Sequence, residues 1–166
     1  ILIVCRSLWV IDHYHCLLEI SMEAELREIR DHLSQHPPFD KLLDELLDDV
    51  VGNIEITYFK ADSIILERGQ PIHALSYIRS GAVETYHYNG ELYNRLEEGD
   101  IFGQFGLLRQ GKVRFPVKAI EDTLLYLIPK TIFDRLCDND SFADFVELSG
   151  SRLKSTVDES LRENDL

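Results

Sequence analysis

The sequence is poor in cysteine and contains no uninterrupted apolar run of membrane-spanning length. Its three cysteines, Cys5, Cys16 and Cys137, show no CxxC spacing. An odd set without metal-binding spacing is typical of a reducing compartment, so we expect a cytoplasmic protein without a cysteine-based metal site. The apolar first twenty residues are interrupted by charges such as Arg6 and Asp12 and lack the basic-then-small pattern of a secretory signal. We therefore expect no membrane partner.

Positive charge is also scarce. Seventeen Lys and Arg face thirty Asp and Glu, which gives a net charge of −13. Such a chain has no general field that attracts nucleic acid, and no helix-turn-helix pattern is visible. The acidic residues concentrate in residues 40–49 and in the last ten, as solvated helix faces do. Any anionic ligand must therefore be held by a local arrangement of groups.

Catalytic signatures are missing as well. There is no nucleophile elbow, no Walker loop and no HExxH. His32 and His36 lie one helical turn apart and "HYHC" spans residues 13–16, but further ligands at suitable spacing are lacking. His73 and His87 stand alone, as surface strand residues rather than the clustered ligands of a metal-dependent roll enzyme. The sequence indicates a non-enzymatic protein without a metal or a cofactor.

Helices are predicted first along the chain. Residues 1–21 precede the only methionine, Met22, and are interpreted as an N-terminal extension of uncertain status, either over-extended or a fragment of something upstream. Residues 22–52 carry two helical patterns, with apolar side chains at three- and four-residue steps over 23–33 and again over 39–50. Gly52 followed by Asn53 is predicted to cap the second helix.

Residues 53–129 change to short β-type runs separated by glycine-containing turns, and "NG" at 89–90 is a strong hairpin signal. Evenly spaced short strands favour a closed antiparallel β-roll of the jelly-roll type over an open sheet. The predicted strands are IEITYF (54–59), SIIL (63–66), ALSYI (74–78), AVETYHY (82–88), ELYNRL (91–96), VKAI (117–120) and LLYLI (124–128).

Residues 130–166 are predicted to be helical again. Pro129 suits the first turn of a helix, and an Asn or Asp near residue 139 suits the cap of the next one. Leu153, Val157 and Leu161 form a stripe that packs on its own domain or, alternatively, serves as a homodimer seam. The expected fold is mainly β, with N-terminal helices, a short helix within the roll and C-terminal helices.

The stretch "GDIFGQFGLLRQGKVRFP" (99–116) joins a glycine turn, a short apolar helix and a basic strand, an order that aims backbone N–H groups at an anion. Together with "SIILERGQPIHALSYIRSGAVETY" (63–86) it resembles the cyclic nucleotide-binding domain family, and the resemblance covers about residues 39–137. It is carried by the joint spacing of Gly69, Gly81, Gly99, Asp100, Phe102 and Gly103.

The resemblance implies a phosphate-binding cassette in which a glutamate accepts from the ribose 2′-OH and an arginine holds the cyclic phosphate. Gln104 occupies the glutamate position, and its amide oxygen still accepts from a hydroxyl, without charge assistance. Val113 occupies the arginine position, and Arg114 follows one residue late. Strand alternation would place Arg114 on the face opposite Val113, whereas a bulge near Lys112 would restore the register.

Two further features alter the expected anion site. Pro116 has no N–H to offer, while Arg109, Lys112 and Arg114 are close enough in sequence to supply substitute charge. The ligand expected from the resemblance is cAMP or cGMP. The candidate ligand-binding residues are Gly103, Gln104, Phe105, Gly106, Leu107, Val113, Arg114 and Phe115.

Two functions remain open. In one, the roll is a regulatory module that senses a cyclic nucleotide through a degenerate cassette; in the other, it binds no ligand and acts in dimerisation or protein interaction. The stretch from residue 115 to 136 is similar to bacterial signalling proteins in which such a roll precedes CBS domains and a nucleotidyltransferase-type domain. The chain is accordingly interpreted as the N-terminal part of a larger signalling protein, with the other domains of that chain as partners.

Overall fold

Two four-stranded antiparallel sheets form the centre of the molecule, and helices cover one of them. The structure, a computed structural model, describes residues 22–109 and 111–149. The helices are α1 (22–34), α2 (Asp44–Asn53), α3 (Gln104–Leu108), α4 (Lys130–Cys137) and α5 (140–149). The strands are β1 (Glu55–Phe59), β2 (Ile64–Leu66), β3 (Ala74–Ser80), β4 (Val83–Tyr86), β5 (Leu92–Leu96), β6 (Ile101–Phe102), β7 (Val117–Ala119) and β8 (Thr123–Pro129).

The strand pairing confirms the predicted roll. One sheet has the order β1-β8-β3-β6 and the other β2-β7-β4-β5. The "NG" turn connects β4 to β5, with Gly90 at φ 84° and the His87 amide bonded to the Glu91 carbonyl at 2.8 Å. The edge strand β1 is largely exposed, whereas the mostly buried strands β3 and β8 form the centre of the first sheet. This sheet separates the molecule into two apolar layers.

The first layer lies between the central sheet and the helices. Its fully buried side chains include Leu33 from α1, Phe39, Leu75 and Tyr77 from β3, and Phe133 from α4. The second layer fills the roll itself, where Ile78 and Leu125 of one sheet meet Val83 and Val117 of the other. The helices α1, α2, α4 and α5 therefore pack outside the roll, against the central sheet. The space between the two sheets is filled by side chains of the strands.

Several sequence expectations need correction. The helix predicted over 39–50 begins only at Asp44, because residues 35–42, which include the two prolines, form turns. Gly52 lies inside α2 rather than capping it. Pro129 ends β8, and α4 begins one residue later. The basic strand expected around residues 112–117 is limited to an isolated bridge at Lys112, with β7 starting at Val117. The two-residue strand β6 was not predicted.

One predicted helix cap is confirmed, and two other predictions concern residues that the structure does not describe. Asn139 caps α5 as predicted, since its side-chain oxygen accepts from the Phe142 amide at 3.1 Å. Residues 1–21, which include Cys5 and Cys16, lie outside the described residues. So does the stripe of Leu153, Val157 and Leu161, which was predicted to pack on its own domain or, alternatively, to serve as a homodimer seam. Within residues 22–109 and 111–149, no helix has the length and apolar character needed to cross a bilayer.

The histidine pair of α1 belongs to the helix-sheet contact. Nε2 of His32 is hydrogen bonded to the Tyr77 hydroxyl at 2.9 Å, and the His32 ring stacks on that of His36 at 4.1 Å between centroids. Burial lowers the pKa of His32, with a further contribution from Arg79, and burial raises the pKa of Tyr77 to about 12. The His32 imidazole and the Tyr77 hydroxyl are therefore neutral in the folded protein near neutral pH.

This contact predicts a pH-dependent stability. Because the pKa of His32 is lower in the folded chain, the unfolded chain binds more protons below about pH 6.5, and stability falls as the pH drops through that range. We expect His32→Gln to reduce the fall in the urea midpoint between about pH 7.5 and about pH 5.5. The exposed His73 provides the control, and His73→Gln should retain the fall of the natural chain. An equal fall in His32→Gln would contradict the assignment.

Candidate ligand-binding site

The short helix α3 is fixed against the roll by two glycines. Gly103 precedes it at φ +94°, and a Cβ there would lie 2.7 Å from Cδ1 of Ile72. Gly106 lies within α3, where a Cβ would approach the Lys112 carbonyl oxygen to 2.8 Å and Cγ2 of Ile72 to 2.9 Å. Only a residue without a side chain lets the backbone of residues 111–113 approach the helix this closely.

The segment after α3 is tied back by a small backbone ladder. The Ile72 amide donates to the Gly111 carbonyl at 2.8 Å, the Val113 amide to the Gln70 carbonyl at 2.8 Å, and the Gly69 amide to the Val113 carbonyl at 2.9 Å. A further bridge pairs Pro71 with Lys112. These contacts fix the backbone of residues 111–113 beside the turn at residues 69–72.

A cavity of about 330 Å³ opens between α3, the β4-β5 hairpin and α5. Volumes of this size are typical of small-molecule sites. Of the eight candidate residues, seven line the cavity: Gly103, Gln104, Phe105, Gly106, Val113, Arg114 and Phe115. Leu107 does not line it, and its side chain is buried in the layer between the central sheet and the helices. The structure thus brings together residues 103–106 and 113–115.

Gln104 is the polar group that distinguishes this cavity. Its side chain is only 4% exposed, and Oε1 is buried without a hydrogen-bond partner among the described residues. A buried acceptor left unpaired costs about 1–3 kcal/mol, so native proteins rarely retain one without a reason. Gln104 is also a lining residue of the cavity, and a hydroxyl group is the kind of partner that this acceptor lacks.

The cationic side chains that line the cavity do not come from residue 113, where the resemblance to the cyclic nucleotide-binding domain family implies an arginine. Val113 is buried, with 5% exposure, and belongs to the helix-side layer. Arg114 is exposed and lines the cavity, with its guanidinium carbon 5.3 Å from the centroid of the Phe115 ring. Arg109 and Lys112, also candidates for substitute charge, do not line this cavity. Among the described residues, the basic side chains that line the cavity are those of Arg114 and Arg95, and both are exposed.

One wall of the cavity is aromatic. Phe115 stacks on Tyr93 with 4.3 Å between ring centroids and 9° between planes, and His87 contacts both rings edge-on. Burial raises the pKa of Tyr93, so its hydroxyl is neutral near neutral pH. A planar apolar surface of this kind is suited to contact with an aromatic ring of a ligand.

Several lining residues were missed by the sequence analysis. Tyr93, Asn94 and Arg95 lie on β5, and Phe145 and Leu148 lie on α5. The register of the β4-β5 hairpin, with Thr85 opposite Asn94, carries these β5 residues to the cavity. The hairpin signal at residues 89–90 indicated that pairing, but nothing in the sequence indicated that α5 would return to the roll.

The arrangement defines a β-roll with a small-molecule cavity beside a short glycine-flanked helix. The cyclic nucleotide-binding domain model matches residues 56–140. The chain belongs to the cyclic nucleotide-binding domain family.

Among curated proteins, the chain is similar to the cAMP-dependent protein kinase regulatory subunit of Colletotrichum orbiculare. The two are 24% identical over 133 residues, which cover 78% of this chain and 34% of that subunit. The chain thus spans about a third of the length of this curated relative.

Solved structures show the same fold at low identity. The cAMP-bound PfPKA-R superposes with a TM-score of 0.73 at 16% identity, covering 82% of this chain and 48% of that one. The sensor domain of the transcriptional regulator DNR from Pseudomonas aeruginosa gives 0.65 at 19%, covering 74% and 91%. The regulatory domain of Toxoplasma gondii PKA with cAMP gives 0.60 at 20%, covering 68% and 44%.

The two helical glycines predict opposite responses to alanine. Gly106→Ala should destabilise the chain, because the added Cβ meets the Lys112 carbonyl oxygen, a backbone atom. Gly52→Ala is the matched control in α2, where a Cβ meets nothing within 4 Å, and it should stabilise by about 0.5–1 kcal/mol. Urea denaturation measures both. The same sign for the two substitutions would contradict the close approach at Gly106.

Proposed function

We infer that the roll is a non-enzymatic regulatory module that binds a cyclic nucleotide, cAMP or cGMP, in the cavity beside α3. The observation that carries this inference is the buried, unpaired Oε1 of Gln104, a residue that lines the cavity. Family membership supports the ligand class, since the family is that of cyclic nucleotide-binding domains. The similarity to a cAMP-dependent protein kinase regulatory subunit supports a regulatory role.

The ribose is proposed to lie against α3. Its 2′-OH donates to Oε1 of Gln104 and thereby satisfies the buried acceptor. This contact is neutral, so it contributes less than the charge-assisted bond of a glutamate would. The base then extends along the aromatic wall formed by Tyr93 and Phe115.

The phosphate is proposed to be held by Arg114 in place of the arginine that Val113 replaces. Arg114 lines the cavity, and its stacking on Phe115 limits the freedom of the guanidinium group. Because Arg114 is exposed, its pairing with a phosphate is weakened by solvent and salt. We therefore expect weaker binding than a buried arginine would give.

Helix α5 provides a route from ligand to response. Phe145, Leu148 and Ser149 line the cavity, while Phe142 and Val146 of the same helix are buried in the helix-side layer. A ligand that contacts the first set therefore favours one position of α5 against that layer. This differential contact is what a regulatory shift between conformations requires.

The setting of the module is part of the proposal. We propose that it belongs to a larger signalling protein and acts on the other domains of that chain or through a homodimer. The resemblance to bacterial proteins with CBS domains suggests one such setting, and the kinase regulatory subunit suggests another. A cytoplasmic location remains a prediction from the cysteine pattern.

The ribose contact predicts a specific loss. Gln104→Met removes the buried acceptor at nearly constant shape, so the free chain should be as stable as the natural one or more stable. The natural chain should bind cAMP about 3- to 10-fold more tightly than 2′-deoxy-cAMP, and the variant should bind the two alike. Isothermal titration calorimetry measures both ligands. Equal discrimination in the variant would contradict the role of Gln104.

A second function rests on Val113. The apolar side chain at the family's arginine position favours a roll that has lost its ligand and acts in protein interaction. Gln104→Glu with Val113→Arg separates the two functions. We expect the natural chain to bind cAMP and the double variant to bind it at least about tenfold more tightly, since pairing a buried charge is worth roughly 2–5 kcal/mol.

Binding by the double variant alone would instead support the interaction module. Val113→Leu is the control for the core position, since it keeps the side chain apolar. It should leave the affinity for cAMP unchanged within about twofold.

A further inference from the structure

A second concavity lies on the outer side of the segment that follows α3. It has a volume of about 380 Å³, and its lining combines four basic side chains with Gly69, Phe105 and Val113. We call it the outer cleft. Its basic residues are Arg68, Arg109, Lys112 and Arg114. No acidic residue lines it within residues 22–109 and 111–149.

These basic side chains differ from most others in the molecule. Of the thirteen Lys and Arg in the described ranges, seven form ion pairs with a carboxylate. The four cleft residues are among the six that do not, although the chain carries a net charge of −13. Four neighbouring cations that form no ion pair with a described carboxylate concentrate positive charge at one place on an acidic protein.

Backbone hydrogen bonds and arginine–ring contacts hold the outer cleft in shape. The ladder between residues 69–72 and 111–113 fixes the backbone that carries Arg68 on one side and Lys112 on the other. The guanidinium of Arg68 lies 5.8 Å from the centroid of the Tyr88 ring, and that of Arg114 lies over Phe115. Ring contacts of this kind position an arginine without consuming its hydrogen-bond donors.

We propose that the outer cleft binds a small compound carrying several phosphate groups. Guanidinium groups present paired donors that match phosphate oxygens, and an ammonium group adds a point charge. A volume of about 380 Å³ suits a small molecule. An acidic peptide spaces its charges roughly 3.3–3.6 Å apart per residue along an extended chain, whereas linked phosphates place more charge in the same volume.

The site is separate from the cavity beside α3. Arg68, Arg109 and Lys112 line only the outer cleft, whereas Arg114, Phe105 and Val113 form the wall that both share. The proposal therefore does not depend on the binding of a cyclic nucleotide. It also follows that Arg109 and Lys112, but not Arg114, can be changed to test the cleft alone.

The test is a calorimetric titration of the full chain with inorganic tripolyphosphate at low ionic strength. Arg109→Gln with Lys112→Gln should weaken binding about tenfold or more, because two charge-assisted contacts are lost. Lys41→Gln with Lys60→Gln is the matched control: it removes the same charge at the two other exposed basic residues that, in the described ranges, lack ion pairs. The control should remain within about twofold of the natural chain.

Each arm of the experiment decides the proposal. ATP binding with the same loss in the cleft variant would identify a nucleoside triphosphate as one source of the phosphate chain, and binding of tripolyphosphate alone would identify an inorganic one. No saturable binding of either, equal weakening in both double variants, or tighter binding of hexaglutamate would overturn it. Titration of the cleft variant with cAMP should match the natural chain, so a failure of the cavity beside α3 is distinguishable from a failure here.

Discussion

The backbone ladder between residues 69–72 and 111–113 is the constraint on which both concave sites depend. Three hydrogen bonds hold Gly111 and Val113 against Gln70 and its neighbours, and Gly106 makes room for that approach. With the segment fixed there, Val113 and Arg114 lie between the cavity and the outer cleft.

Much of the fold could be predicted from the sequence because its strands are short runs of β-type residues separated by glycine-containing turns. The hairpin at residues 89–90 and the strands from Glu55 to Leu96 follow local rules, and the structure agrees with them. Local rules failed where tertiary packing decides. The second helix starts late because Phe39 is buried against Tyr77 in a turn, and β6 forms only because β3 supplies its partner.

The candidate site was predictable in part for the same reason. Residues 103–106 are contiguous and begin with Gly103, and a glycine before a short apolar helix is a signal that the sequence alone carries. The side of the chain on which the Arg114 side chain lies could not be predicted, because residues 113–116 are irregular and strand alternation does not govern them. The contribution of α5 depends on long-range packing of Phe142 and Val146, which no local pattern specifies.

The central claim is that a cyclic nucleotide occupies the cavity beside α3, and amide-resolved NMR titration of the full chain with cAMP tests it most directly. The account predicts saturable shifts at Gly103, Gln104 and Gly106 together with Phe145 and Leu148 on α5, the two walls that a ligand there would contact. Shifts confined to Arg68, Arg109 and Lys112, or none at millimolar ligand, would contradict it.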